Sequence, residues 1–61
     1  MVEITYNEAD KEHTAYITQF DWSEVLTNKV RFAEIWYDKN TLISLGYINV
    51  NLITRVVPDR N

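Results

Sequence analysis

His13 is the only histidine of the chain, and no cysteine accompanies it. A structural zinc site wants four convergent ligands, so one imidazole would leave carboxylates to supply the rest. As a general base His13 would need a nucleophile and an orienting group. Its neighbours are Glu12 and Thr14 at a loop-to-strand boundary, where the reading is an exposed bystander. Asp10 and Glu12 have the spacing of paired carboxylates, but they fall on a polar stretch with no apolar pocket to split their pKa values. A single glycine in 61 residues rules out phosphate-cradling loops, dinucleotide fingerprints and nucleophile elbows. The chemistry available is therefore non-enzymatic, with no catalytic residue, no metal and no cofactor expected.

Charge narrows the partner. Six basic residues face nine acidic ones, a net −3. Residues 1–24 hold six of the acids (Glu3, Glu8, Asp10, Glu12, Asp21 and Glu24) against Lys11 alone. The basic residues are scattered, with only Lys29 and Arg31 as close as two positions, so the basic stripe that displaces phosphate counterions is missing and nucleic acid is disfavoured. The acidic half could instead meet a basic protein surface through Glu3, Glu8, Asp10 and Glu12, although residues 7–12 also read as an ordinary solvated loop.

The elements that would position these groups follow from composition and period. Sixty-one residues, 46% of them apolar and 25% charged, fit one folded domain spanning 1–61. No apolar run approaches a membrane span, and residues 1–12 lack the basic and apolar regions of a signal peptide, so a soluble cytoplasmic protein is expected. Val2, Ile4 and Tyr6 alternate with polar residues, as do Tyr16, Thr18 and Phe20 with their neighbours, which predicts a hairpin whose polar loop exceeds the two-residue minimum. The segment VRFAEIWY is rich in strand formers. A helical wheel at about 100° per residue nevertheless gathers Trp22, Val25, Leu26, Val30, Phe32, Ala33, Trp36 and Tyr37 into one arc of about 160°, with Lys29 the intruder. The prediction is a helix over 22–38, capped by Asp21 with Glu24 at N3, stapled by Phe20 and Val25, stopped at Asn40, and burying both tryptophans.

Residues 41–48 and 52–57 read as a second hairpin around Asn49 and Asn51, with Gly46 marking a bulge, a bend or a close approach inside its first strand. Pro58 ends the last strand and leaves 59–61 frayed. The fold class is thus α+β, a ββαββ layout with one helix packed on a four-stranded sheet, either β-grasp-like or a meander. In length and element order this is similar to the small immunoglobulin-binding domains of streptococcal type. The resemblance is one of layout, without a residue motif, and the chain is poorer in Gly, Lys and Ala, so neither ligand nor contact residues carry over.

One helix covers one face of such a sheet. With Val2, Ile4, Tyr6, Tyr16, Phe20, Ile43, Leu45, Tyr47, Leu52 and Val56 toward it, alternation sends Ala15, Ile17, Leu42, Ile48, Ile53, Arg55 and Val57 to the open side. Apolar patches of that kind mark interfaces. The expected function is a small protein-interaction domain of bacterial or phage type that docks a partner or forms a homodimer through Ile17, Leu42, Ile48, Ile53, Arg55 and Val57. The alternative is an acidic inhibitor or nucleic-acid mimic of phage or plasmid type. A nucleic-acid binder or minor enzyme ranks last.

Overall fold

The structure, a computed structural model, describes residues 1–40 and 42–58. β1 (Val2–Glu8) and β2 (Lys11–Ile17) form the first hairpin, and its connection is tighter than the sequence suggested. Glu8 pairs with Lys11, leaving Ala9 and Asp10 alone in the turn at φ 55° and 62°. Two successive positive φ values make a type I′ turn, whose twist matches that of the flanking strands. The expected acidic loop over 7–12 is therefore mostly strand. The same turn fixes the register, with Ile17 opposite Val2, Ala15 opposite Ile4 and His13 opposite Tyr6.

The helix is shorter than predicted and begins earlier. α1 (Gln19–Leu26) is capped by Thr18, whose Oγ1 accepts a hydrogen bond from the Asp21 N–H at 3.1 Å, while Asp21 places negative charge in the first turn. Asn28 ends it. At φ 58° this residue donates its N–H to the Val25 carbonyl, and Lys29 donates to the Glu24 carbonyl, at 3.1 and 3.0 Å. These are the paired bonds of a Schellman stop. Asn40, the expected stop, instead donates its N–H to Asp38 Oδ1 within a loop, and Phe20 is exposed rather than stapled.

Beyond the stop, Phe32–Trp36 is a strand, β3. Six of the eight residues of VRFAEIWY are apolar, so helical and extended periods both fit it, and the β-branched and aromatic side chains favour the extended form. Asn28 breaks the helix before that segment is reached.

β4 (Ser44–Asn49) leads through a 3-10 turn (Val50–Leu52) into β5 (Ile53–Val57). Asn49 Oδ1 accepts from the Asn51 N–H at 2.9 Å, the local turn chemistry the two asparagines implied. Gly46 lies at φ 98° where the β3–β4 register shifts, and no atom stands within 4 Å of where its Cβ would be. It serves a bulge, with no large side chain crowding it. β5 ends directly before Pro58. The expected strand start at Thr41 and the fraying of 59–61 lie outside the described residues.

The sheet has five strands, not four, in the order β4-β3-β2-β1-β5, and every pairing is antiparallel. β1 to β4 form a meander, and β5 returns to lie beside β1 at an edge. The central pairing of first and last strands that a β-grasp requires is not formed. β4 and β5, expected as a second hairpin, do not pair: they are the two edge strands, β4 beside β3 and β5 beside β1, and the 3-10 turn joins them. A flat sheet would hold its edges roughly 19 Å apart, whereas the steps from Asn49 to Ile53 span at most about 15 Å. The sheet must coil toward a partly closed barrel. Its inner face carries Val2, Ile4, Tyr6, Ala15, Ile17, Ala33, Ile35 and Ile48, with Trp22 and Val25 of α1 and Val50, Leu52, Ile53 and Val56 packed against them.

Ala9 bears the cost of the first turn, since left-handed backbone is unfavourable for a side chain with a Cβ by about 1–2 kcal/mol. Replacing the turn by Ala9→Asn with Asp10→Gly should stabilise the protein by about 1 kcal/mol and raise Tm by about 4–8 °C in a thermal melt. A lower Tm would contradict the two-residue turn.

Candidate functional site

Residues opposite the core-facing set point outward. Along one line across the sheet, Val57, Glu3, Tyr16, Trp36 and Ser44 are successive cross-strand partners. A second line pairs Glu34 with Tyr47, and Phe32 with Asn49 lies next along β3. Phe32 is 58% exposed, Tyr47 70% and Val57 41%, beside half-buried Tyr16 and Trp36. Since α1 packs on the inner side through Trp22 and Val25, no element among the described residues covers this outer face.

Its polar groups are held in place. The Tyr16 hydroxyl donates to Glu3 Oε1 at 3.3 Å, and Ser44 Oγ donates to Glu34 Oε2 at 2.7 Å. Ser44 Oγ also accepts from the Gly46 N–H, so the bulge that needs Gly46 positions the hydroxyl that holds Glu34. Among the described residues neither carboxylate has a cationic partner; the ion pair between Lys29 and Glu24, at 3.8 Å, joins α1 to the residue after its stop. The Trp36 indole N–H is covered and has no hydrogen-bond partner among the described residues. An orphaned donor of this kind costs about 1–3 kcal/mol.

The expected interface divides. Ile17 is 0% exposed and Ile48 is also buried, while Ile53 packs against the core, so these three belong to the inner face and cannot line an open one. Ala15 is corrected with them, and Tyr16 and Tyr47 change places with them to the outer side. The reason is register: the two-residue turn sets Ile17 and Ala15 against inward-facing Val2 and Ile4, which leaves Tyr16 outward. Leu42 is 88% exposed but sits in the loop between β3 and β4. Arg55 and Val57 do lie on the outer face, opposite Thr5 and Glu3. Of the acidic set, Glu3 and Glu12 are on strands with outward parity, whereas Glu8 and Asp10 flank and form the turn. Phe32, Trp36, Tyr16 and Tyr47 were missed as surface residues because a long helix had claimed the first two and the wrong parity the others.

Reactive groups do not gather elsewhere. His13 is half-buried rather than exposed and stacks on Tyr6, with ring centroids 5.2 Å apart. Burial raises the Tyr6 hydroxyl pKa, and the charge of Glu8 adds to it. No group of three His, Asp or Glu side chains among the described residues is placed to hold a metal ion. An open cleft of about 330 Å³ is lined by Asn28, Val30, Arg31, Asn49, Val50 and Asn51, with no nucleophile or base among them. No helix of the described residues is long and apolar enough to cross a membrane.

No family model, curated protein or solved structure matches this chain.

Two outcomes test these placements. Trp36→Phe gives up part of the indole's packing together with the orphaned donor, two changes that oppose each other, so thermal stability should stay within about 1 kcal/mol of wild type; a loss above about 3 kcal/mol would contradict the orphaned donor. Tyr6 favours its neutral form more strongly when folded than when unfolded. Its stabilisation is therefore complete below the unfolded tyrosine pKa of about 10 and is lost as pH rises through the higher folded value. Denaturant midpoints should fall above about pH 10, and Tyr6→Phe should flatten that fall relative to wild type. Parallel curves for the two proteins would contradict the assignment.

Proposed function

We propose that this chain is a non-enzymatic protein-interaction domain that docks its partner on the outer face of the sheet. One observation carries the reading: Phe32, Tyr47 and Val57 stand exposed beside Tyr16 and Trp36 on strands whose positions are fixed by cross-strand pairing. Aromatic side chains are the commonest anchors of protein interfaces, because they bury large area while ordering few torsions. Strands hold them with less entropy to lose on binding than a loop would. Tyr37, Leu42 and Ile43 are also exposed, in the connection between β3 and β4.

Self-association through the same face is the second reading, favoured by the apolar area itself. The face weighs against it electrostatically. A two-fold stack would bring Glu3, Glu12 and Glu34 of both copies into one interface with Arg55 as the offsetting charge on this side.

The test is retention from an extract of the cells that make the protein, comparing wild type with Phe32→Ser plus Tyr47→Ser. Both residues are largely exposed, so the double variant should melt within about 1 kcal/mol of wild type. It should lose the retained partner. Equal retention by the folded variant would remove the outer face from the interaction.

A further inference from the structure

We infer that the partner presents a cationic, arginine-bearing segment to this face; the inference rests on the protein-binding reading above and names the chemistry of the occupant. The face combines aromatic rings with carboxylates that have no cationic partner among the described residues. Tyr16 is directly opposite both Glu3 and Trp36, and Glu34 stands two residues from Trp36 along β3. Strand spacing puts the Glu3 backbone roughly 10 Å from that of Trp36, and Glu34 roughly 7 Å away. Trp36 thus has Glu34 near it on its own strand and Glu3 on the far side of Tyr16. Both carboxylates are oriented by neutral hydroxyls, from Tyr16 and Ser44, which hold them without neutralising them.

Guanidinium suits this arrangement better than other groups. It is planar and always charged, it stacks on tryptophan and tyrosine rings, and its donors pair bidentately with a carboxylate. An ammonium could use a carboxylate but would gain less from the rings. The alternatives meet opposing charge. Phosphates would approach Glu3, Glu12 and Glu34 with Arg55 as the counter-charge on the face, and a second copy would repeat the same acids. The six acids of residues 1–24 add a long-range field that draws a cationic partner in.

The experiment uses the whole isotope-labelled chain and three blocked decapeptides of alternating alanine with arginine, lysine or citrulline, the last being the uncharged arginine analogue. Amide and indole shifts are followed on titration, for wild type and for Glu3→Gln plus Glu34→Gln. Both substitutions keep an acceptor for the orienting hydroxyls, and an unchanged melt confirms the fold. The arginine peptide should move Tyr16, Tyr47 and the Trp36 indole, bind about tenfold more tightly than the citrulline peptide, and bind at least as tightly as the lysine one. That margin should vanish in the double variant, and it should shrink between about 50 and 500 mM salt. Equal binding of arginine and citrulline peptides, a double variant that keeps the margin, or no shift on the outer face would each overturn the cationic occupant. So would outer-face shifts that follow protein concentration without peptide, since the occupant would then be a second copy. In each case loss of the extract partner by Phe32→Ser plus Tyr47→Ser would still stand, so the two readings fail separately.

Discussion

Everything on this molecule's two faces depends on a turn of two residues. Ala9 and Asp10 both take positive φ, so β1 and β2 pair in one register, and period two converts that register into a choice of face for each side chain. Val2, Ile4 and Tyr6 face inward with Ala15 and Ile17, and Glu3 and Tyr16 share the outside. A slip of one residue in β2 would bury Tyr16 and expose Ile17. The neighbouring strands inherit the pattern, since Trp36 is set by Tyr16, and Tyr47 pairs with Glu34 two residues along from Trp36. The core of a 61-residue chain without disulfides is thus also what leaves the aromatic face open.

A second constraint shapes the sheet. β4 and β5 are consecutive in the chain yet occupy opposite edges, and the 3-10 turn between them cannot bridge a flat sheet of five strands. Coiling brings the edges together and wraps the apolar side around Trp22, Val25 and Leu52. An eight-residue helix without a single buried residue is enough cover, because the sheet supplies most of its own enclosure. The bulges at Leu45 with Gly46 and at Thr54 fall on the two edge strands, where added twist helps a sheet curl.

The sequence was legible where period and local chemistry agree. The first hairpin, the bulge at Gly46, the asparagine turn after β4 and the stop before Pro58 all follow from side chains acting within a few residues. The helix boundary did not follow, because six of the eight residues 30–37 are apolar and fit period 3.6 and period two alike. The available signal was Asn28, an asparagine suited to left-handed backbone ahead of a β-rich run, inside the 22–38 span that the helical wheel favours. The outer face was lost by one further step. Residues 7–12 are polar but for Ala9, itself a poor residue for a type I′ turn, so no side chain marks the two-residue turn that fixes the parity of β2.

Cross-strand nuclear Overhauser effects test that parity most directly. The account predicts contacts of the Ile17 methyls with Val2 and other core side chains, and of the Tyr16 ring with Glu3 and Trp36 but not with the helix. Contacts from the Tyr16 ring to Trp22 or Ile4, with Ile17 silent toward the core, would contradict it and close the face on which the proposed binding rests.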